Sequence, residues 1–179
     1  KPDPSRYPKI SAEADALYQQ AHEADVEIPR RMQPEAIVQL YQQAADKGHL
    51  GAMYNLAVSY YEGDGAPQDP TKARYWLEKI ATYDIPEGYT AMALIYRKGI
   101  GLESDPRKAK DYMVKAAKMG DRDSLYYLGE DILNLQLAYP DMRDQLEAYG
   151  VKLLKCAAEL GQKEAHFSLA LEYAAFDQN

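Results

Sequence analysis

The sequence has few of the residues that mark disulfide, metal and redox sites. Its 179 residues include one cysteine, one tryptophan and three histidines. The single cysteine, Cys156, excludes an internal disulfide. The histidines, His22, His49 and His166, have no partner at the spacing of a metal-ligand pair. We therefore expect neither a metal nor a cofactor.

Sequence motifs of catalysis are also missing. The chain has no G-x-S-x-G, H-E-x-x-H, C-x-x-C or phosphate-binding G-x-x-x-x-G-K-[ST] pattern. It has no apolar run near the roughly 18 residues that a membrane-spanning helix needs. We predict a protein that is not an enzyme and that has no membrane insertion in the chain given.

Positive charge is in deficit. Lys and Arg number 21 against 28 Asp and Glu, which gives a formal net charge of −7 at pH 7. An acidic surface repels phosphate, so the sequence argues against nucleic acid and anionic membrane as partners. A basic protein partner and a charge kept for solubility remain alternatives.

The first ten residues, KPDPSRYPKI, contain three prolines and no initiator Met. They also lack the charged-then-apolar pattern of a signal peptide. We expect a mature or trimmed chain in which residues 1–10 form an extended tether, although a cloning boundary would explain the same start. Periplasmic localisation, with a lipid anchor upstream in the precursor, is the expectation, and the cytoplasm stays open.

An internal repeat begins after this segment. The stretch 51–65 (GAMYNLAVSYYEGDG) aligns with 87–101 (EGYTAMALIYRKGIG) at a shift of 36 positions. The same shift superimposes the double glycines, an Asp-Pro pair and a Lys-Ala pair. The third unit carries about five extra residues around Leu135–Arg143. This insertion is a second candidate site of partner contact, because loops commonly add specificity, and a lengthened helix or an ordinary connection is the alternative.

Each repeat unit has the signature of a helix pair. Ala52, Leu56, Ala57 and Tyr60 form one stripe of an amphipathic first helix. Glycines then stop this helix, because glycine accepts a positive φ without steric cost. Asp69 can cap the second helix, whose inward stripe is Ala73, Trp76, Leu77 and Ile80.

These features predict an all-α fold, a right-handed α-solenoid of stacked antiparallel helix pairs. We expect one solenoid over residues 11–179, because each pair buries its apolar face only against its neighbours. The approximate units are 11–48, 49–84, 85–120, 121–161 and 162–176.

The motif A-x-x-x-L-G-x-x-Y-x-x-G-x-G, followed by D, K-A-x-x-W/Y and A-A-x-x-G, resembles the Sel1-like repeats, which are relatives of the tetratricopeptide repeats. The chain matches it from Ala52 to Ala81 and again from Met92 to Gly120. The third unit departs from it, with Leu135 and Leu137 in place of the paired glycines. The resemblance implies a scaffold for protein–protein contact without catalytic residues.

Tyrosine is abundant, with 16 tyrosines against 2 phenylalanines. Tyr60, Tyr96 and Tyr173 occupy the core slot of the family motif. Other aromatic residues fall in columns of the aligned first helices, which line the concave side in the tetratricopeptide relatives. Packing between repeats would also explain them. The candidate partner-binding residues are Tyr54, Asn55, Tyr61, Thr90, Arg97, Tyr126, Tyr127, Glu130 and Phe167.

The resemblance also implies a role. Some small exported proteins with such repeats look like immunity proteins, which bind and silence a toxic effector of a secretion system, including lipase-type effectors of type VI secretion. We expect this chain, monomeric when free, to bind such an effector. The alternative is a periplasmic or envelope adaptor that organises a protein complex, so the partner is a toxic effector or a complex component.

Overall fold

The computed structural model describes residues 3–176 and, among them, the side chains of residues 3–174. Within this range the chain is all-α and contains no strand, which confirms the predicted fold class. The α-helices are α1 (Ala12–Val26), α2 (Pro34–Asp46), α3 (Leu50–Glu62), α4 (Pro70–Ala81), α5 (Pro86–Lys98), α6 (Pro106–Lys118), α7 (Arg122–Asn134), α8 (Arg143–Glu159) and α9 (Lys163–Phe176). Short 3-10 turns cover Pro4–Arg6, Leu135–Leu137 and Pro140–Met142.

The chain divides into two compact units. The first is Asp3–Lys110, and the second begins at Asp111 and is described to residue 176. The division falls inside α6, so α1 to α5 belong to the first unit and α7 to α9 to the second. The expectation of one solenoid over residues 11–179 stays a prediction.

Helix hairpins build the first unit. Helix α1 packs on α2 and α3 on α4, while α2 packs on α3 and α4 on α5 to join successive pairs. The predicted inward stripes are buried, since Leu56 and Ala73 are 0% exposed and Trp76 is 5% exposed. Burial of these apolar faces between helices is the main stabilising contribution in such a stack.

The paired glycines have two separate functions. Gly63 ends α3 with a φ of 78°, and Gly99 ends α5 with a φ of 66°. The second glycine of each pair packs on the preceding helix pair. A Cβ on Gly65 would lie 2.3 Å from the carbonyl oxygen of Pro34, and one on Gly101 would lie 3.0 Å from that of Pro70. The double-glycine motif therefore encodes both a helix end and a contact between repeats.

The Tyr, Asp and Lys of the motif close the loop that follows α3. The Asp69 amide donates to the carbonyl of Tyr60 at 2.7 Å. The Asp69 carboxylate accepts from the amide of Lys72 at 3.0 Å and so caps α4. The Lys72 ammonium lies 5.2 Å from the centroid of the Tyr60 ring. The next unit repeats these contacts at 2.9, 3.1 and 5.1 Å with Tyr96, Asp105 and Lys108.

The described part of the N-terminal segment makes contacts within the first unit. Arg6 forms an ion pair with Asp84, and the Tyr7 hydroxyl donates to Glu87 at 3.0 Å. Asp84 lies two residues before α5, and Glu87 lies in its first turn. The role of residues 1–10 as a tether stays a prediction, and residues 1 and 2 lie outside the described residues.

In the second unit, two glycines lie inside helices where α7 and α8 meet. A Cβ on Gly150 would lie 2.7 Å from Cγ of Leu133 and 3.2 Å from the carbonyl oxygen of Gly129. The missing side chains let the two backbones approach closely. Leu154 and Ala157 of α8 are fully buried beside this crossing.

The segment between α7 and α8 corresponds to the extra residues of the third unit. It consists of the turns Leu135–Leu137 and Pro140–Met142, after which α8 runs for 17 residues. We call residues 135–142 the insertion segment. The longer helix and the ordinary connection that the sequence left open are both observed in part. The connection is short, and α8 is longer than α4 and α6.

Tyr173 corrects one assignment made from the motif. Placed in the core slot by the repeat alignment, it is 48% exposed. Helix α9 packs mainly on α8, and the ammonium of Lys155 lies 5.7 Å from the centroid of the Tyr173 ring. The Lys155 side chain therefore covers one side of the Tyr173 ring, and the other side is open to solvent.

Candidate partner-binding surface

Three of the predicted contact residues in the first unit lie together. Tyr54, Asn55 and Tyr61 of α3 line a cavity of about 350 Å³. Tyr54 is 45% exposed, and the other two are half-buried. A cavity of this volume is at the lower end of the range of small-molecule sites, and it can receive a bulky side chain of a partner.

The cavity has an apolar base and a polar rim. Ala57, Leu77 and Ile100 are almost completely buried and lie at its base. Glu62 and Lys98 are exposed at its rim. An apolar base with polar groups around it is suited to anchoring an apolar side chain while the partner's backbone stays at the rim.

Tyr61 and Lys98 form part of this rim together. The ammonium of Lys98 lies 5.2 Å from the centroid of the Tyr61 ring, a cation–π arrangement that joins α3 to α5. This contact orients the tyrosine ring at the opening, and the ammonium remains exposed to solvent.

Two predicted residues in this unit do not line the cavity. The Thr90 hydroxyl donates to the carbonyl of Pro86 at 3.1 Å, within its own helix. Arg97 is exposed, and its carbonyl accepts from the Ser104 hydroxyl at 3.2 Å. Both lie on α5, on which a different set of side chains faces the cavity.

The sequence alignment missed the α5 residues that line the cavity, Leu94 and Lys98. The alignment compared residues one repeat apart, such as Tyr54 with Thr90. The two walls of a cleft between helices need not be formed by such equivalent residues. Val58 lies four residues after Tyr54 and so on the same face of α3, and Leu94 is the residue equivalent to Val58 one repeat later. These two relations would have indicated the face of α5 that lines the cavity.

In the second unit the candidates have different environments. Tyr126 is half-buried and packs against the core around Leu154, whereas Tyr127 is 45% exposed. Their ring centroids are 5.3 Å apart. Glu130 is half-buried, and Phe167 of α9 is 69% exposed. Tyr127 and Phe167 are available at the surface, while Tyr126 has a packing role.

A partly buried network, in which Tyr41 is buried and Arg30 is exposed, lies behind Asn55. The Tyr41 hydroxyl donates to the Asp25 carboxylate at 3.0 Å, and Arg30 pairs with the same carboxylate at 3.0 Å. Burial raises the pKa of Tyr41, and the charge of Asp25 raises it further, so the phenol keeps its proton. A side-chain hydrogen bond with Asn55 lowers the pKa of Tyr41. The network fixes α1, α2 and the cavity wall.

His49 has a structural role. Its Nδ1 accepts from the amide of Ala52 at 3.2 Å and so caps α3, and its ring stacks on Tyr18 with centroids 4.1 Å apart. Across the described part of the chain, no group of three His, Cys, Asp or Glu side chains is placed to hold a metal ion. The described helices also include none that is long and apolar enough to cross a membrane.

The repeat geometry agrees with a known family. The model of the Sel1 repeat matches residues 38–49, 51–82, 86–121 and 123–162. These ranges cover more than half of the chain and include the glycine loops, the capping aspartates and nearly all of helices α3 to α8. The chain belongs to the Sel1 repeat family. The predicted family membership is therefore confirmed.

Two solved structures are similar to this Sel1 repeat protein over nearly its whole length. The immunity protein Pa5087 of Pseudomonas aeruginosa is 28% identical, with a TM-score of 0.74, over 98% of this chain and 64% of that one. The immunity protein PA5088 of the same organism is 31% identical, with a TM-score of 0.70, over 97% of this chain and 62% of that one.

A curated protein is similar over a shorter stretch. An exopolysaccharide production negative regulator of Rhizobium leguminosarum bv. viciae is 39% identical over 56 residues, which are 31% of this chain and 21% of the regulator. The Sel1 repeat protein therefore spans about a fifth of this regulator and less than two thirds of the two immunity proteins.

Proposed function

We propose that this Sel1 repeat protein is an immunity protein, which binds a cognate secreted toxic effector and neutralises it. The observation that carries the proposal is its similarity, over 98% of its length, to the immunity protein Pa5087. The effector class that we propose is a lipase-type effector of a type VI secretion system. In this role the protein has no catalytic activity of its own.

The proposed mechanism is steric. The protein covers the active site of the effector or holds the effector in an inactive conformation. The cavity beside Tyr54 and Tyr61 supports a contact role, since it combines exposed aromatic rings with an apolar base. Tyr127 and Phe167 offer further exposed aromatic area in the second unit. The other candidates for partner contact are Asn55, Thr90 and Arg97 in the first unit, and Glu130 and Tyr126, which also packs on the core, in the second.

The proposed location is the periplasm, with a lipid anchor in the precursor. An effector that attacks the cell envelope would be met there before it damages the membrane. We further propose that the free protein is a monomer that pairs with the effector on binding.

A co-expression experiment tests the proposal. The secreted protein encoded beside this gene is directed to the periplasm of a heterologous host, with and without the Sel1 repeat protein. We expect growth arrest with the effector alone and recovery when both are present. In a purified system, the Sel1 repeat protein should lower the effector's lipid hydrolysis at a one-to-one ratio. Unchanged toxicity and unchanged hydrolysis would contradict the proposal.

Matched variants test the surface. Tyr54→Ala removes an exposed ring at the cavity, and Tyr75→Ala removes a ring of similar exposure, 51%, from α4. We expect Tyr54→Ala to weaken effector binding by about tenfold, and Tyr75→Ala to leave it unchanged. Isothermal titration calorimetry measures both. Equal affinities for the two variants would remove this cavity from the contact surface.

The second candidate function is an envelope adaptor that organises a protein complex. Its support is the 39% identity over 56 residues to an exopolysaccharide production negative regulator. Deletion of the gene separates the two functions. A change in exopolysaccharide or envelope assembly without an attacking competitor favours the adaptor. Sensitivity that occurs only in the presence of an effector-producing strain favours the immunity protein.

A further inference from the structure

The insertion segment exposes three large apolar side chains within six residues. Leu137 is 94% exposed, Tyr139 is 55% exposed and Met142 is 47% exposed. Single apolar residues are common on protein surfaces, but a local group of them usually marks a contact surface. The equivalent positions in the two preceding units belong to the glycine loops.

Backbone hydrogen bonds order this segment. The amides of Ala138 and Tyr139 donate to the carbonyl of Leu135, each at 3.0 Å. The amide of Met142 donates to the carbonyl of Tyr139 at 3.0 Å. The first turn packs on both α7 and α8. The exposed side chains therefore stand on an ordered backbone, so a partner would meet a preorganised surface and lose little conformational entropy on binding.

Acidic residues predominate in the sequence on both sides of these side chains. The chain from residue 130 to residue 149 carries five carboxylates and a single guanidinium, that of Arg143. The carboxylates are Glu130, Asp131, Asp141, Asp144 and Glu147. Asp141 lies between Tyr139 and Met142 in the segment itself. An apolar surface with an acidic border favours a partner with basic groups around its own apolar contact.

The acidic groups act on one another in space. Burial raises the pKa of Glu172 on α9, and the charges of Glu147 and Glu130 raise it further, while Arg143 lowers it. Carboxylates from α7, α8 and α9 therefore share one region of the second unit. Their mutual repulsion would be relieved by a cationic partner, and it opposes contact with an anionic membrane.

We infer that the insertion segment is the anchoring surface for a protein partner, and that this partner presents an apolar contact bordered by Lys and Arg side chains. The inference rests on the proposed function, in which the effector is that partner. Leu137, Tyr139 and Met142 enter the apolar contact, and Asp141 and its acidic neighbours pair with the basic border.

Model peptides test the chemistry of the partner without the effector. The probes are a fluorescein-labelled amphipathic helix of Leu and Lys, and the same peptide with Glu in place of each Lys. We expect fluorescence anisotropy to detect binding of the Lys peptide, weakening as salt rises, and affinity for the Glu peptide lower by at least about tenfold. Equal affinity for the two peptides would overturn the inference.

A pair of serine variants localises the binding. Leu137→Ser changes the insertion segment, and Ile28→Ser changes an aliphatic side chain of matched exposure, 95%, in the first unit. Neither should alter the melting temperature, because neither side chain is buried. We expect Leu137→Ser to weaken binding of the Lys peptide by about tenfold and Ile28→Ser to leave it unchanged. Equal binding by the two variants would overturn the inference, as would vesicle binding that depends on Leu137 when the vesicles contain phosphatidylglycerol.

The same variants separate this inference from the proposed function. If Leu137→Ser neutralises the effector as well as Ile28→Ser does, the anchoring surface is wrong while the immunity function stands. If the unchanged protein neutralises no effector, the immunity function fails, and the peptide measurements still decide whether the insertion segment takes a basic, apolar partner.

Discussion

The connection that follows the first helix of a repeat differs between the two units of the molecule. In the first unit, Gly63 and Gly65 let the chain turn and pack on the preceding helix pair. In the second unit, the insertion segment has no glycine, and it leaves Leu137 94% exposed. Two glycines of the second unit, Gly129 and Gly150, lie inside helices instead, at the crossing of α7 and α8.

The glycine loops contribute to the stability of the fold, whereas the insertion segment is suited to recognition of a partner. The second glycine of each glycine loop packs on the preceding helix pair, so the loop joins repeats. The insertion segment gives up that inward contact and presents side chains to solvent. Loops that depart from a regular scaffold are where binding specificity is commonly added. Changes in the two regions should accordingly have different effects.

The largest expected effect is on the stability of the glycine loop. Gly65→Ala adds a Cβ 2.3 Å from the Pro34 carbonyl oxygen at a φ of 72°. We expect a loss of about 3 kcal/mol in the free energy of unfolding, since backbone strain and a clash with a neighbouring backbone act together. Urea denaturation followed by circular dichroism measures this loss.

Gly48→Ala is the control for Gly65→Ala. Gly48 has a φ of 87°, but a Cβ there would meet nothing within 4 Å. This variant should lose only about 1 kcal/mol, which is the conformational cost alone. Equal losses at the two positions would show that packing between repeats adds nothing to the cost of the positive φ.

Two adjacent tyrosines compare packing with exposure in the second unit. Tyr126→Ala removes a side chain that packs on the core, and we expect a loss of about 2 kcal/mol. Tyr127→Ala removes a ring that is 45% exposed and should leave the melting temperature nearly unchanged. Its effect should appear in effector affinity instead. Thermal melts together with calorimetric titration test both, and a large destabilisation by Tyr127→Ala would make it a packing residue as well.

The helix crossing of the second unit should respond more weakly than the glycine loop. Gly150→Ala improves helix propensity by about 1 kcal/mol but places a Cβ 2.7 Å from Cγ of Leu133. Overpacking of this kind costs about 1 to 3 kcal/mol, so we expect a net loss of about 1 kcal/mol. Chemical denaturation measures it. A stabilised variant would mean that Leu133 moves aside and that the close approach of α7 to α8 is dispensable.

The helix pairs and their ends could be predicted because single residues determine them. Gly63 permits the positive φ that ends α3, and Asp69 supplies the acceptor that caps α4, so the local sequence is sufficient. The buried stripe from Ala73 to Ile80 follows from helical periodicity in the same way. These parts of the fold depend on contacts close in sequence or on a repeated spacing.

The candidate surface could be predicted only in part. Tyr54 and Tyr61 were found because they are aromatic and lie outside the core stripe. Leu94 and Lys98 were missed, since the rotation of one helix against another decides which of their faces meet. The contact of Arg6 with Asp84 was unpredictable for a related reason, because it joins residues 78 positions apart and outside the repeat.

The smallest expected effects are the changes in melting temperature when two aspartates near helix starts are replaced. The two changes have opposite signs at pH 7. In the glycine loop of the first unit, a hydrogen bond from the Lys108 backbone lowers the pKa of Asp105 from its usual 3.8. The charged form therefore stabilises the fold above the unfolded pKa, and this contribution is lost as the pH falls through the folded pKa. Asp105→Asn keeps an acceptor for the cap, so it should lower the melting temperature slightly at pH 7 and less at pH 4.

Asp123 in the second unit should respond in the opposite direction. Partial burial raises the pKa of Asp123 above its usual 3.8, and the charge of Asp121 raises it further, although Arg122 and a hydrogen bond from Gln162 lower it. The folded state binds this proton more readily than the unfolded state does, so ionisation of Asp123 reduces stability at neutral pH. Asp123→Asn should therefore raise the melting temperature slightly at pH 7, and the gain should shrink as the pH falls towards 3.8. Calorimetric scans of both variants at pH 7, 5 and 4 measure the two trends, and shifts of the same sign at pH 7 would mean that the two helix starts do not differ in their electrostatics.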